Sequence, residues 1–328
     1  MALPTYTVNL DLPPEERWLF LKDARETINE LLEMYLRDLV DNELLQQGIA
    51  QYRSSLVAPD YLKELEGLSH CCDFTAEQLL MANLYYDLLK FYWGCTAFSV
   101  HNGEQMLHAR NLDWFTENNA LSLHSCIFLF QRQGETVFKT VGWPGFIGVL
   151  SGNRPGAFTI TLNAVSSNEP PEINPPVSFL LRDVLDQESH FEGARQCLAN
   201  APIACDCLLL LSGTEAHEKV VIERTPSRHA IRESQEAFIV VTNDYKVLEY
   251  RRSEEELLAS TSCQRFDQAC LRLFDGLPKT LEDCVTILQD AAIQMEITVQ
   301  QMAFENASGR HLALKTYLDN DASFSSLH

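Results

Sequence analysis

The stretch Phe91-Tyr92-Trp93-Gly94-Cys95-Thr96-Ala97-Phe98-Ser99-Val100 joins two kinds of predicted structure with a single glycine between them. A long apolar helical pattern ends at Gly94, and a strand-like run begins at Cys95. The following Val100-His101-Asn102-Gly103-Glu104 predicts a hairpin turn. The returning strand carries His108-Ala109-Arg110-Asn111-Leu112-Asp113-Trp114, which brings an arginine and a carboxylate back toward the cysteine. This arrangement predicts a cysteine nucleophile that becomes an N-terminus when the Gly94–Cys95 bond is cut.

The composition is that of a globular protein with an acidic surface. The chain has 328 residues, of which 46% are hydrophobic, enough for one large domain or two ordinary ones. It carries 25 basic and 46 acidic residues, a net charge of −21. Because such a surface repels phosphate groups, we expect no nucleic-acid partner.

The first residues carry no recognisable targeting signal. Met1-Ala2-Leu3-Pro4-Thr5 lacks the basic and apolar regions of a signal peptide, and no apolar run reaches the ~18 residues of a membrane span. We therefore expect a protein that stays in the cytoplasm or leaves the cell by a non-classical route.

Cysteines and histidines do not have the spacing of a metal site. Cys205-Asp206-Cys207 and Cys71-Cys72 are isolated close pairs, whereas zinc sites usually need two pairs with ligands two to four residues apart. The nine histidines show no HExxH spacing. We therefore expect no metal and no cofactor.

The pattern of secondary structure changes at Cys95. Residues 1–94 are mainly helical, with one helix beginning near Pro13-Pro14 and another at the capping box Thr75-Ala76-Glu77-Gln78 and running toward Trp93. Strands are predicted at 95–100, 105–110, 124–131, 136–141, 157–163, 207–211, 218–224, 237–242, 297–304 and 311–315, and helices at 177–188, 191–199, 253–275 and 280–293.

This order of elements predicts an α+β fold in which two sheets lie between helical layers. It divides the chain into a helical segment at 1–94 and a catalytic segment at 95–328, which together form one structural unit.

The hairpin supplies the groups that a thiol nucleophile needs. A tight turn centred on 102 and 103 places position 95 opposite 110, so the guanidinium of Arg110 can favour the thiolate of Cys95. If the Gly94–Cys95 bond is cut, the freed amine can accept the thiol proton, and Asp113 can hold that amine. From these three side chains alone, ordinary core and turn roles remain open.

Several ordered blocks of sequence, which together extend over nearly the whole chain, match one known family. They are Thr5 to Pro14 with Arg17-Trp18, Asn83-Leu84-Tyr85-Tyr86-Asp87 before Cys95-Thr96, His108 to Asp113, Val141 to Gly152, Gly156 to Asn163, and Thr242-Asn243-Asp244-Tyr245. On these blocks the chain resembles acid ceramidase and N-acylethanolamine-hydrolysing acid amidase, which belong to the cysteine N-terminal-nucleophile hydrolases together with bile salt hydrolases and penicillin V acylases. Gly94 departs from the family pattern, which has an apolar residue there, and Ala164 stands where the family usually carries an acid.

The resemblance implies a four-layer αββα sandwich with a helical N-terminal segment, and it implies roles for the site residues. Cys95 becomes the nucleophile, with its own amine as base. Arg110 stabilises the thiolate and contacts substrate, and Asp113 orients the amine. Asn243 donates its side-chain amide to the oxyanion, and Asn163 lines the pocket.

A second site arginine and an acyl pocket are also implied. The family places an Arg-Arg pair after the asparagine block, which favours Arg251, with Arg265 as the rival because other branches carry this arginine further on. We expect Trp143, Phe146 and Tyr245 to contribute to the acyl pocket, although simple core packing is the alternative for each.

The resemblance thus implies a self-processing cysteine amidase of lipid metabolism. It would hydrolyse the amide of an N-acyl lipid, an N-acylethanolamine or a ceramide, to fatty acid and amine through a Cys95 thioester. Residues 1–94 would stay associated as a subunit after autocatalytic cleavage, and transient membrane contact is left open. The alternatives are a choloylglycine hydrolase or penicillin V acylase type of amidase, an acyltransferase, a non-catalytic lipid-binding protein and, more remotely, a papain-like protease.

Overall fold

The computed structural model describes residues 3–37, 56–88, 93–116, 119–167, 169–170, 172–248 and 257–316. Among these residues, no helix is long and apolar enough to span a bilayer.

The described elements are helices and strands, with consecutive runs of strands between the helical stretches. Short 3-10 helices span Pro14–Glu16 and Leu19–Ala24. The α-helices are α1 (Arg25–Arg37), α2 (Pro59–Ser69), α3 (Ala76–Asn83), α4 (Tyr85–Leu88), α5 (Ala120–Leu123), α6 (Val177–Gln187), α7 (Phe191–Asn200), α8 (Leu257–Asp275) and α9 (Leu281–Leu288). The strands are β1 (Thr5–Asn9), β2 (Trp93–His101), β3 (Met106–Trp114), β4 (Cys126–Arg132), β5 (Glu135–Gly142), β6 (Ser151–Arg154), β7 (Phe158–Asn163), β8 (Cys207–Ser212), β9 (Lys219–Arg224), β10 (His229–Glu233), β11 (Phe238–Val241), β12 (Thr298–Glu305) and β13 (His311–Lys315).

The strands form two sheets that face each other between helices. The larger sheet has the order β1-β4-β5-β6-β7-β8-β9-β10, and the smaller has the order β11-β2-β3-β12-β13. Helices α6 and α7 pack on the larger sheet, and α8 and α9 pack on the smaller one. This confirms the α+β class and the four-layer αββα sandwich that the resemblance implied.

The central hairpin is buried on both faces, as expected for a strand pair between a second sheet and a helical layer. Every residue of β3 is buried. On one side of the hairpin, Phe98 and Val100 pack with residues of α8 and α9. On the other side, Ala97 packs with Leu208 and Leu210 of the facing sheet. The residues of β2 and β3 that carry chemistry are therefore held between rigid layers.

The start and the register of this hairpin differ from the prediction. The strand β2 begins at Trp93, so the Gly94–Cys95 bond lies inside the strand. Cys95 pairs with Leu112, and Arg110 pairs with Ala97, whereas the prediction placed 95 opposite 110. The turn occupies four residues, 102–105, rather than two, which moves the register by two positions. A shift of two keeps each side chain on its original face, so Cys95 and Arg110 still share one side of the sheet.

The N-terminal residues are helical but also join the main sheet. Strand β1 pairs in parallel with β4, with Thr5 opposite Ile127. The predicted capping box is confirmed, because the backbone N–H of Gln78 donates to Thr75 Oγ1 at 3.3 Å and the backbone N–H of Thr75 donates to Gln78 Oε1 at 2.9 Å. The helix that it opens was predicted to run toward Trp93, but α3 ends at Asn83 and only the short α4 follows within the described residues.

Candidate active site

Cys95 lies in β2 with no exposed surface. Arg110, from the neighbouring β3, places its Nη2 atom 3.1 Å from Cys95 Sγ. The thiol also lies 3.9 Å from the carbonyl oxygen of Leu162, at the end of β7 in the facing sheet. The sulfur is therefore enclosed between the two sheets, with the guanidinium of Arg110 beside it.

The guanidinium of Arg110 is held in place by backbone and hydroxyl oxygens. Its Nη1 atom donates to the carbonyl oxygen of Leu150 at 2.7 Å and to Ser151 Oγ at 2.6 Å. Its Nη2 atom also donates to the carbonyl oxygen of Leu162. Arg110 is fully buried, so these contacts fix the direction in which its charge points at Cys95.

Asp113 lies at the predicted cleavage junction. It pairs with Gly94 across the hairpin, and its Oδ1 atom accepts a hydrogen bond of 2.5 Å from Thr298 Oγ1. Its buried Oδ2 atom has no hydrogen-bond partner among the described residues. Burial raises the pKa of this carboxyl, while the charges of Arg265 and Arg110 and the Thr298 hydroxyl oppose that shift. An unpartnered buried carboxylate oxygen beside the Gly94–Cys95 peptide bond can receive the ammonium group that cleavage would create.

Gly94 has little free space around its α-carbon, because Met295 and Asp113 lie close to it. A β-carbon built at this position would come within 2.9 Å of Met295 Sδ and 3.1 Å of Asp113 Cβ. A side chain here would require the end of the Met295 side chain to move and Asp113 to give by a few tenths of an ångström.

Asn243 and Arg265 meet at the backbone of Cys95. Asn243 Oδ1 accepts from the Cys95 backbone N–H at 3.1 Å and from Arg265 Nη2 at 2.7 Å. Arg265 Nη1 donates to the Cys95 carbonyl oxygen at 2.6 Å and to Thr96 Oγ1 at 2.9 Å. Asn243 Nδ2 donates to the Ala164 carbonyl oxygen at 2.7 Å, which leaves its second N–H for an oxyanion.

Arg265 and Arg251 are the two candidates for the second site arginine. Arg265, on α8, is 2% exposed and contacts Cys95 directly through the bond described above. Arg251 lies outside the described residues, and its proposed role stays a prediction.

The remaining predicted residues lie around this cluster. Asn163 follows Leu162 and donates through Nδ2 to the carbonyl oxygens of Val241 at 3.2 Å and Thr242 at 2.9 Å, which ties the two sheets together beside Asn243. Its buried Oδ1 atom has no partner among the described residues.

The three aromatic residues make packing contacts. Trp143 is buried, donates through Nε1 to the Leu121 carbonyl oxygen at 2.6 Å and packs edge-on against Phe146 at 6.3 Å between centroids. Tyr245 donates its hydroxyl to the Arg224 carbonyl oxygen at 2.7 Å. Their part in an acyl pocket stays a prediction.

Several hydroxyl groups that support the site were not predicted. They are Thr298 on Asp113, Ser151 on Arg110 and Ser262, whose Oγ accepts from the Asn243 backbone N–H at 2.9 Å. Serine and threonine are too common for sequence spacing to single them out. Within the described residues, no group of three His, Cys, Asp or Glu side chains is placed to hold a metal ion.

Comparison with known protein families places this site in a wider group. Residues 100–292, more than half of the chain, match the family described as acyl-coenzyme A:6-aminopenicillanic acid acyl-transferase. The chain belongs to this family. Residues 1–47 match the family described as the beta subunit of N-acylethanolamine-hydrolyzing acid amidase. Together the two matches confirm the family that the sequence motifs indicated.

Individual relatives agree with this assignment. An acid ceramidase from Balaenoptera acutorostrata scammoni is 27% identical over 254 residues, which cover 68% of this chain and 63% of the relative. Human acid ceramidase is 24% identical over 255 residues, which cover 68% of this chain and 64% of the relative. The chain therefore spans less than two thirds of the length of these relatives.

A solved structure supports the fold. The Caenorhabditis elegans ortholog of N-acylethanolamine-hydrolyzing acid amidase superposes with a TM-score of 0.55 at 23% identity, covering 65% of this chain and 93% of the other. At this identity, the likeness supports the shared sandwich and not a shared substrate.

Proposed function

We propose that this protein is a self-processing cysteine amidase that hydrolyses N-acyl lipids such as N-acylethanolamines or ceramides. The observation that carries the proposal is the 3.1 Å contact between Arg110 Nη2 and Cys95 Sγ, buried one residue after a glycine that lies against Asp113. The family membership and the names of the relatives support the same class of reaction.

The first step is cleavage of the chain itself. The Cys95 sulfur attacks the carbonyl carbon of Gly94, the C–N bond between them breaks, and the nitrogen of Cys95 takes up a proton. Water then hydrolyses the thioester, which leaves a carboxylate on Gly94 and a free thiol on Cys95. The new ammonium group lies beside Asp113, whose negative charge holds it.

The same thiol then acts on the substrate. The amine of Cys95 accepts the thiol proton, the thiolate attacks the acyl carbonyl, and the tetrahedral oxyanion receives the second N–H of Asn243. The C–N bond breaks as the leaving amine takes the proton. Water hydrolyses the thioester and releases the fatty acid. Because the base in this step is the amine that cleavage frees, cleavage has to precede turnover.

Intact mass measurement at pH values from 4 to 8 tests the proposal. Wild type should convert from one chain to two fragments that separate at Gly94–Cys95, and Cys95→Ala should remain one chain without amidase activity. Cys284→Ala is the matched control, because this cysteine is equally buried but packs among residues of α8 and α9. Full amidase activity in Cys95→Ala, or a wild type that stays intact and inactive throughout, would refute the mechanism.

Acyl transfer is a second candidate, and the description of the matched family favours it. Both reactions share the thioester and differ in whether water or an amine attacks it. Adding a primary amine acceptor to an assay with N-palmitoylethanolamine, ceramide or a phenoxyacetyl amide separates them. Hydrolysis gives free acid alone, whereas transfer gives a new amide in proportion to the acceptor concentration.

A further inference from the structure

The backbone of Ile147 is held at its N–H by Asn83 of the N-terminal segment 1–94 and at its carbonyl by Arg182, which Glu64 of the same segment binds. Asn83 Oδ1 accepts a hydrogen bond of 2.7 Å from the Ile147 backbone N–H, and Asn83 Nδ2 donates to the Gly145 carbonyl oxygen at 3.1 Å. The Ile147 carbonyl oxygen accepts from Arg182 Nη1 at 3.1 Å. Arg182 is in turn bound by both oxygens of Glu64, at 2.6 and 2.8 Å.

The same short stretch of backbone reaches the candidate active site three residues later. The Leu150 carbonyl oxygen accepts from Arg110 Nη1 at 2.7 Å, and Ser151 Oγ accepts from the same atom at 2.6 Å. The Leu150 carbonyl oxygen also accepts from the Leu162 backbone N–H at 3.0 Å. The position of the guanidinium, and with it the 3.1 Å contact to Cys95 Sγ, therefore depends on where this backbone lies.

The side chains that hold the Ile147 backbone are shielded from solvent. Asn83 and Glu64 have no exposed surface, and Arg182 is 3% exposed. Glu64 also accepts from Trp18 Nε1 at 2.6 Å and Arg17 Nη1 at 2.9 Å, so four donors fix its carboxylate. Water cannot replace these partners, and losing one leaves a polar group unpaired in the core.

We propose that Asn83 and Glu64 are positioning residues for Arg110, so that the N-terminal segment completes the active site from a distance. They fix the Ile147 peptide, the following backbone presents the Leu150 carbonyl and the Ser151 hydroxyl, and these direct the guanidinium at the Cys95 thiol. This inference rests on the proposed function and adds that the 1–94 fragment is needed for the chemistry after the chain has been cut.

The test compares the wild type with Asn83→Asp, Asn83→Ser and Glu64→Gln in the full chain. Asn83→Asp keeps the acceptor for the Ile147 N–H and replaces the donor to Gly145 with a repelling oxygen. Asn83→Ser shortens the side chain without adding a charge, so it is the less disruptive change. Asn200→Asp is the matched control, because Asn200 is exposed at the end of α7. Three quantities are measured: the pH dependence of Cys95 alkylation by iodoacetamide in cleaved protein, kcat and KM on an N-acyl amide, and the midpoint of thermal unfolding.

If the inference is right, Asn83→Asp and Glu64→Gln move the midpoint of the alkylation profile up by about 0.5 to 1 pH unit and lower kcat by roughly tenfold, with little change in KM. Asn83→Ser should give a smaller shift in the same direction, and Asn200→Asp none. A role in stability alone would lower the unfolding midpoint without moving the pH profile.

A wild-type profile in the folded Asn83→Ser or Glu64→Gln protein would overturn the inference, even if Asn83→Asp does not fold. Failure of the proposed function would appear in the wild type instead, as a chain that is neither cleaved nor active.

Discussion

A buried histidine between the two sheets should make the fold sensitive to acid. His108 lies on β3 with no exposed surface, and its ring nitrogens contact Ser212 Oγ at 2.8 Å and Thr161 Oγ1 at 2.9 Å. Burial, and then the charge of Arg110, lower its pKa from 6.5 to about 3. The unfolded chain therefore binds a proton at mildly acidic pH that the folded chain does not.

The size of the effect follows from these two values. Because the pKa is lower in the folded state, the stability that neutral His108 contributes is complete above pH 6.5 and is lost as the pH falls toward 3. Between pH 7 and pH 4.5, an unfolded-state pKa of 6.5 and a folded-state pKa of about 3 give a loss of about 2.5 kcal/mol of unfolding free energy from this one residue.

The assay is denaturant unfolding of Cys95→Ala, which keeps the chain in one piece, at pH 7, 6, 5 and 4.5. His108→Gln in the same background retains a polar side chain but does not titrate. Its unfolding free energy should fall by about 2.5 kcal/mol less than that of the parent over this range, whatever its stability at pH 7. If the unfolding free energy falls equally with pH in the two proteins, protonation of His108 does not contribute to the loss of stability in acid.

Three further predictions concern single residues. Thr298→Val removes the hydroxyl that donates to Asp113 Oδ1, so the pKa of the Asp113 carboxyl should rise further. The lowest pH at which the chain still cleaves itself, followed by intact mass, should therefore move up by about 0.5 to 1 pH unit. Gly145→Ala forces alanine into a φ of 94° with a β-carbon 3.2 Å from an isoleucine, and denaturant unfolding should show a loss of roughly 1 to 2 kcal/mol. Gly103→Ala, at a φ of 98° with open space around it, should lose less, and equal losses would contradict the packing argument. Gly94→Ala should cleave more slowly because its β-carbon presses on Asp113, and cleavage at the wild-type rate would contradict this.

The sequence was sufficient to predict the layers but not every strand. Apolar runs such as Cys207–Ser212 are distinct from their surroundings, and their predicted bounds agree with the structure within a residue or two. Strand β6, Ser151–Arg154, was missed because it is four residues long and polar, and it lies in the sheet only because β5 and β7 flank it. Strand β10, His229–Glu233, was missed because it forms the edge of the sheet and its polar and apolar residues alternate only weakly.

The site residues could be predicted only where they lie close together along the chain. Cys95 and Arg110 were found because they lie on one hairpin, where spacing limits distance, and even there the register was wrong by two residues. The position of Arg265 depends on how α8 packs over β2, which no spacing rule gives. Asn83 was recognised only as part of a motif, since its bonds to Gly145 and Ile147 join residues more than sixty positions apart.

Strand β1 has a consequence for any attempt to produce the catalytic segment alone. In the full chain it occupies the outer edge of β4, and Trp18 covers Phe128 and Phe130 with ring centroids 5.3 and 5.9 Å apart. A protein expressed from Cys95 onward would present β4 as an unpaired edge with those two aromatic side chains uncovered, which is a template for intermolecular sheet pairing. The N-terminal segment thus also protects its own partner from aggregation, and co-expression of 1–94 should restore solubility to a chain that starts at Cys95.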